Sequence, residues 1–122
     1  MARVSVIIPA RNTPYLRQTV DDIFAKATGD IEVIVMLDGW QPDEPLAPRH
    51  NLIVETNYAA IGLRHSINKM VSMASGKYIF KSDDHCMFGE GFDEILQRDM
   101  EDDWLVTPSR YRLDPIKWQR DN

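Results

Sequence analysis

Residues 78–86 join a short apolar segment to three side chains that could bind a metal ion. Residues 78–80 are aromatic and β-branched, which favours a buried strand. Asp83, Asp84 and His85 follow where that strand should end. Two carboxylates this close together repel each other unless a cation lies between them, and carboxylate oxygens and an imidazole are suitable ligands for one. The pattern predicts a divalent metal site that holds nucleotide phosphates, and its alternative is a solvated polar turn.

The rest of the chain predicts the elements that position these side chains. Nearly continuous β-branched runs indicate strands covered on both faces, and apolar residues at helical spacing indicate helices. The predicted strands cover residues 4–8, 31–37, 51–55 and 104–107 and the segment that begins at residue 78, and the predicted helices cover residues 14–27, 61–74 and 92–100. The tail, residues 109–122, carries no assignable pattern. This alternation predicts one α/β domain over residues 1–122, Rossmann-like, with a mostly parallel sheet and helices on both faces.

Segments that contain polar side chains follow each of the first four predicted strands. They are Pro9, Ala10, Arg11 and Asn12, then Asp38 and Gly39, then residues 55–57, and finally residues 82–85. Parallel sheets bind ligands at the carboxyl ends of their strands, near a change in strand order. Solvation explains any one of these groups, but their convergence at one edge of the sheet predicts a ligand site.

Several of these side chains could contact a nucleotide. Asp38 could accept hydrogen bonds from a base or a ribose, or Asp38 and Gly39 could form only a turn. Asn12 could donate to a phosphate or contact a base, or it could end a turn. Arg64 and His65 lie in the first turn of the second predicted helix, where backbone amides favour an anion. Simple solvation is the alternative for Arg11 and for Arg64.

The composition is that of an ordinary globular domain. Of 122 residues, 43% are hydrophobic and 27% are charged, and the net charge is −5. An acidic chain lacks the excess of Lys and Arg that nucleic-acid binding needs. The single cysteine, Cys86, excludes an internal disulfide and fits a reducing compartment. The apolar run at residues 4–8 is too short for a signal peptide or a membrane span, so we expect a cytoplasmic protein without a span.

The signatures of several other classes are absent from the sequence. No Gly-x-Gly-x-x-Gly follows the first predicted strand, and no phosphate loop of the form Gly-x-x-x-x-Gly-Lys-Ser/Thr occurs. No Gly-x-Ser-x-Gly occurs either. These absences argue against a dinucleotide-binding domain, a phosphate-loop nucleoside triphosphatase and a serine hydrolase. A phosphoacceptor receiver domain would need an acidic pair at residues 9–12, where none stands.

Four segments in order resemble family 2 glycosyltransferases. They are residues 4–12 (VSVIIPARN), residues 32–39 (EVIVMLDG), the spaced residues Asn57, Gly62 and Asn68, and residues 74–79 (ASGKYI). The motif at residues 83–86, Asp-Asp-His-Cys, is similar to the metal motif of the polypeptide N-acetylgalactosaminyltransferases, which share the GT-A fold. Residues 104–114 also resemble the strand that follows in those enzymes.

The resemblance implies a role for each matched position. Asp83 and His85 would bind Mn²⁺ or Mg²⁺, with Asp83 also near the sugar or ribose and Asp84 directed elsewhere. Asp38 would contact the nucleoside, and residues 9–12 would line the base pocket. The implied donor-binding set is completed by Gly39, Asn57, Gly62, Arg64, His65 and Asp84. No catalytic base is implied.

The resemblance also implies an activity, the transfer of a sugar from a nucleotide-diphospho-sugar. A UDP-sugar is the expected donor, and a divalent metal is expected to be required. The resemblance covers only the nucleotide-sugar half of a GT-A fold. The acceptor half would come from a partner or a second copy, or the chain is a piece of a longer enzyme. A non-catalytic nucleotide-sugar-binding module, or an inactive fragment, is the alternative, and a nucleotidyltransferase is third. The sugar, the acceptor and the stereochemical course are not specified.

Overall fold

The computed structural model describes residues 3–98 and 113–120. The elements in chain order are β1 (Val4–Ala10), α1 (Leu16–Lys26), β2 (Ile31–Asp38), β3 (Leu52–Asn57), α2 (Leu63–Met73), β4 (Tyr78–Lys81), α3 (Phe92–Gln97), β5 (Leu113–Asp114) and β6 (Gln119–Arg120). The first four strands form a parallel sheet in the order β3-β2-β1-β4, and β5 pairs with β6 in a small antiparallel ribbon. The predicted α/β, Rossmann-like fold with a mostly parallel sheet is confirmed.

The two central strands, β1 and β2, carry the most continuous apolar pattern of the sequence because both of their faces are covered. Side chains of β1 alternate between two apolar clusters, so that Val6 and Ile8 lie with α1 and α3 on one face of the sheet. Ile7 faces the other way and packs with Met70 of α2. Because both faces are covered, β1 and β2 are buried along almost their whole length. The sheet therefore has helices on both faces.

The segments around the helices differ in detail from the predicted bounds. α1 begins at Leu16 rather than at residue 14, because the Thr13 hydroxyl accepts the Tyr15 N–H (3.2 Å) in a turn that precedes the helix. The predicted helix over residues 92–100 is helical over Phe92–Gln97. The predicted strand at residues 104–107 lies outside the described residues. In the described ranges, no helix is long and apolar enough to cross a membrane.

The described part of the tail, residues 113–120, forms the β5–β6 ribbon that the sequence did not indicate. Its turn is closed by the Asp114 carboxylate, which accepts the backbone N–H groups of Ile116 and Lys117 (3.1 and 3.2 Å). Trp118 has a left-handed φ of 52° and its ring lies 6.4 Å from that of Tyr15. The ribbon therefore contacts the loop that precedes α1.

A buried carboxylate attaches α3 to the rest of the domain. Asp93 is 3% exposed and accepts the N–H groups of Thr28 (3.0 Å) and Gly29 (2.8 Å), which follow α1. Hydrogen bonds to a charged acceptor are among the stronger ones, and their loss leaves two amides without that partner. We expect Asp93→Ala to lower the free energy of unfolding by about 2 to 3 kcal/mol.

Urea denaturation followed by circular dichroism measures this difference. The matched control is Asp30→Ala, because Asp30 is exposed and lies in the same connection between α1 and β2. The control should unfold at the wild-type urea midpoint. An Asp93→Ala midpoint equal to that of the control would show that these hydrogen bonds do not attach α3.

Candidate functional site

The order in which the chain adds strands to the sheet reverses between β1 and β4. The chain runs outward from β1 to β2 and β3, and then returns to place β4 on the other side of β1. At such a point the connections leaving the two neighbouring strands diverge, which opens a crevice at their carboxyl ends. β1 ends at Ala10 and β4 at Lys81, and Ser82 continues the pairing by donating its N–H to the Ile7 carbonyl (3.0 Å). The predicted site segments, residues 9–12 and 82–85, thus meet at this crevice.

Asp84 connects the two sides of the crevice. Its Oδ2 accepts the backbone N–H of Arg11 (3.1 Å), and its Oδ1 lies 2.9 Å from Nδ1 of His85. Asn12, the next residue of the β1 loop, has a left-handed φ of 55°, a conformation that asparagine tolerates better than most residues. Asp84 is thus held by contacts within the chain, and the expectation that it is directed away from the metal stays a prediction.

Asp83 and His85 are more exposed than Asp84. Their side chains are 44% and 61% exposed, against 14% for Asp84. Asp83 Oδ1 lies 2.6 Å from the Lys81 ammonium, so the cation beside it in this structure is a lysine. Within residues 3–98 and 113–120, no three His, Cys, Asp or Glu side chains form a group that could hold a metal ion. The side chains of this part of the chain therefore do not by themselves form a complete metal centre.

Asp38 holds the loop between β3 and α2, residues 58–62. The carboxylate is 5% exposed; its Oδ1 accepts the Asn57 side-chain amide (3.1 Å) and the Ile61 N–H (2.8 Å), and its Oδ2 accepts the Gly62 N–H (2.9 Å). Burial raises the pKa of Asp38, but these three hydrogen bonds and the Arg11 charge outweigh burial, so that the net pKa is lowered. Asp38 is therefore ionised at neutral pH, and its carboxylate already accepts three hydrogen bonds from the protein itself. Its contact with a nucleoside stays a prediction.

Gly39 and Asn57 complete the support of this loop. The Gly39 N–H donates to the Asn57 carbonyl (2.8 Å), and the Asn57 side chain accepts from Lys69 of α2 (3.1 Å). Gly39 has a φ of +68°, and a Cβ there would lie 2.9 Å from the Ala60 Cβ. A side chain would force the loop away from the end of β2. Lys69 was not among the residues singled out from the sequence, because its role depends on the approach of α2 to the end of β3.

Arg64 and His65 lie in the first turn of α2, directly after the loop that Asp38 holds. Both are exposed, and in the described ranges neither side chain makes a hydrogen bond or an ion pair with residues 82–86. Gly62 occupies the position before the helix with a φ of 91° and no side chain to cap it. The first-turn amides, Arg64 and His65 are thus placed at the carboxyl edge of the sheet, and their contact with a ligand stays a prediction.

Two residues of α1 that the sequence did not indicate hold the segment after His85. The Thr19 hydroxyl accepts the Cys86 N–H (3.0 Å), and an Asp22 carboxylate oxygen accepts the Phe88 N–H (2.5 Å). Both contacts span more than sixty positions of sequence, so no local pattern could have shown them. Burial raises the pKa of the Cys86 thiol, and the Asp83 charge raises it further. This thiol is therefore a packed side chain rather than an activated nucleophile.

An open cavity of about 520 Å³ lies at the opposite edge of the sheet. It is lined by residues at the amino ends of β1 and β2 and on α3, among them Arg3, Asp30 and Glu94. Its lining mixes both charge signs, and none of the predicted site residues belongs to it. The cavity is a separate feature from the crevice between β1 and β4.

A parallel α/β sheet with polar loops gathered at its change of strand order is a nucleotide-binding architecture. A family model described as Glycosyl transferase family 2 matches residues 5–120, and the chain belongs to this family. The resemblance seen in the sequence is therefore confirmed, with the fold of the GT-A type.

Comparison with solved structures agrees with this fold. A structure described as a mannosyltransferase from Pyrobaculum calidifontis in complex with GDP-Man and Mn²⁺ superposes with a TM-score of 0.61 at 21% identity. The match covers 73% of this chain, and this chain spans 29% of the mannosyltransferase chain. At this identity the likeness shows the fold alone. No curated protein matches the sequence.

Proposed function

We propose that this chain is the donor-binding part of a glycosyltransferase and that it binds a nucleotide-diphospho-sugar at the carboxyl ends of β1, β2 and β4. The observation that carries the proposal is the hydrogen bond from the Arg11 N–H to Asp84, which joins the loop after β1 to the Asp-Asp-His segment. Membership of Glycosyl transferase family 2 supports sugar transfer as the reaction to which this site contributes.

Each part of the site has a task that its chemistry suits. Residues 9–12 line the base side of the crevice. Asp38 fixes the loop that leads into α2, and a carboxylate that already accepts three hydrogen bonds retains capacity for about one more, from a ribose hydroxyl or a base. The diphosphate lies toward the first turn of α2, where Arg64 adds positive charge to the helix N-terminus and His65 offers a ring nitrogen for a hydrogen bond.

The Asp-Asp-His segment fits a divalent cation that the nucleotide helps to bind. Mg²⁺, and by the same preference for oxygen ligands Mn²⁺, is commonly held by one or two protein side chains together with substrate phosphates. Asp83 and His85 provide one carboxylate and one imidazole, and the Asp83 carboxylate, paired with Lys81 in this structure, would exchange that ammonium for the metal ion. Bound there, the metal would offset the negative charge that develops on the leaving diphosphate.

The base of the donor is open between two expectations. The sequence resemblance favours UDP, whereas the similar mannosyltransferase structure contains GDP-Man. Titration calorimetry with UDP and with GDP, each with and without Mn²⁺, tests the proposal and chooses between them. We expect one of the two to bind in the presence of Mn²⁺ and to bind at least tenfold more weakly without it. Absence of binding by either nucleotide would overturn the proposal.

A binding module without activity is the second candidate. This chain spans 29% of the similar mannosyltransferase chain, and the residues described above belong to the donor side alone. Mn²⁺-dependent hydrolysis of the matching nucleotide-sugar separates the two candidates. Turnover above the protein-free background supports an enzyme, whereas measurable nucleotide affinity with background turnover supports a module whose acceptor side comes from a partner, a second copy or a further segment.

A further inference from the structure

We infer that Asp84 is a positioning residue that fixes both the loop after β1 and the ring of His85, and so couples nucleotide binding to metal binding. The structural part of this inference stands on hydrogen bonds within the chain. The part that concerns the metal rests on the proposed function. The resemblance directs Asp84 away from the metal and includes it in the donor-binding set, so a role in positioning the His85 ring is new.

The contacts of Asp84 distinguish it from its two neighbours. Its carboxylate bonds to Arg11, which precedes it by 73 positions, and to His85, which follows it directly. It is also the least exposed of the three side chains, at 14% against 44% for Asp83 and 61% for His85. Each carboxylate oxygen already accepts one hydrogen bond from the chain. Asp84 is therefore built into the framework of the crevice, while Asp83 and His85 face outward.

The bond to His85 determines which ring nitrogen can bind a ligand. A carboxylate oxygen accepts hydrogen bonds, so the 2.9 Å contact between Asp84 Oδ1 and His85 Nδ1 favours the tautomer with its proton on Nδ1. The neutral ring then has its lone pair on Nε2, the form in which an imidazole binds a metal ion. A carboxylate in this position both orients the ring and increases its basicity as a ligand. Asp84 thus prepares His85 for a metal ion without contacting that ion.

The bond to Arg11 extends this effect to the nucleotide side. Arg11 follows Ala10, the last residue of β1, and precedes Asn12, which has a left-handed φ of 55°. Its N–H donates to Asp84 at this turn. A turn of this kind needs a fixed partner for its amide if it is to hold one conformation. The same carboxylate holds the His85 ring. A shift of the loop after β1 when a nucleotide binds would therefore move the His85 ring through these two hydrogen bonds, and metal binding at His85 would act on the loop in the same way.

The tautomer of His85 in the metal-free protein tests the structural part directly. Long-range ¹⁵N–¹H spectra in alkaline solution should show the Nδ1–H tautomer for His85 in the wild type, with the signals assigned by their loss in His85→Gln. We expect Asp84→Asn to lose this preference. The control Asp30→Asn removes the same charge at the opposite edge of the sheet and should keep it. A wild-type Nε2–H tautomer, or an Asp84→Asn spectrum identical to that of the wild type, would overturn the inference.

Binding measurements test the coupling. The measurements use whichever of UDP and GDP the wild type binds. Asp84→Asn should reduce Mn²⁺ affinity about 10- to 100-fold. It should also reduce the affinity for the nucleotide in the absence of Mn²⁺. Wild-type affinity for both ligands in Asp84→Asn, as in Asp30→Asn, would contradict the coupling. If the wild type binds neither nucleotide, the proposed function fails, whereas the tautomer result still decides the role of Asp84.

Discussion

Replacement of Asp38 by alanine is expected to lower the free energy of unfolding by about 3 to 4 kcal/mol, near the upper end for a single substitution. The carboxylate is buried and accepts three hydrogen bonds, two of them from backbone N–H groups of the loop before α2. Its loss leaves the Ile61 and Gly62 amides without their acceptor and removes the charge that holds the Asn57 side chain. The result should be a less stable protein whose loop at residues 58–62 is no longer fixed.

Urea denaturation of Asp38→Ala gives this difference, and Asp43→Ala is the matched control. Asp43 is an exposed aspartate in the segment that follows β2, so its replacement removes the same charge and should leave the unfolding midpoint unchanged. Hydrogen exchange adds a local measurement, since the Ile61 and Gly62 amides should exchange faster in Asp38→Ala. Equal midpoints and unchanged exchange in the two variants would show that Asp38 does not hold this loop.

The same residue predicts how stability depends on pH. Asp38 and Glu32 both have pKa values in the folded protein below their usual values of 3.8 and 4.5. For Glu32, burial raises the pKa, and hydrogen bonds from Ser5, Ser75 and Gly76 outweigh it. A carboxyl whose pKa is lower when folded stabilises the protein above its unfolded pKa and loses that contribution as the pH falls through the folded pKa.

We therefore expect the contribution of these two groups to be constant above about pH 5 and to decline below pH 4.5. Urea midpoints measured from neutral pH to pH 3 test this, and Asp38→Ala should show a shallower acid decline than the wild type. An equally steep decline in the two proteins would mean that Asp38 titrates alike in the folded and unfolded chains.

The second large effect concerns ligand binding. The double variant Asp83→Asn, His85→Gln is expected to reduce nucleotide affinity in the presence of Mn²⁺ on the order of 100-fold, to the metal-free level. Both side chains are exposed at the crevice, so their replacement should remove cation ligands with little effect on folding. Titration calorimetry of nucleotide into protein with and without Mn²⁺ measures the change.

A matched control for this pair lies in the loop after β2. Asp43→Asn with His50→Gln changes the same residue types at exposed positions outside the crevice segments and should preserve the wild-type affinity and its dependence on Mn²⁺. If the Asp83 and His85 variant retained a Mn²⁺ effect equal to that of this control, the metal ligands would have to be sought elsewhere.

The sequence predicted the central sheet well because β1 and β2 are covered on both faces, which leaves a continuous apolar signal in each. It also placed the predicted site segments at one edge, since parallel strands end at a common side. The roles of single acids were harder to predict. Asp84 acts through an amide 73 positions earlier, and Asp38 through a loop more than twenty positions later. Neither partner leaves a local pattern.

The ribbon at residues 113–120 shows a different limit. Each of its strands has two residues, too few for an alternating pattern to appear. Its turn depends on Asp114 capping two amides, and the aromatic pair of Tyr15 and Trp118 joins it to the domain. Such a feature is specified by tertiary contacts rather than by periodicity.

Paramagnetic broadening by Mn²⁺ tests the central claim, that the donor and its metal bind at the crevice between β1 and β4. In ¹⁵N–¹H spectra of the protein with bound nucleotide, Mn²⁺ added far below stoichiometry should erase the amide signals of residues 11–12 and 82–86. Mg²⁺ should leave them visible. Signals at the opposite edge, such as Asp30, should persist. Broadening centred on the cavity at that edge, or none at residues 82–86, would contradict the account.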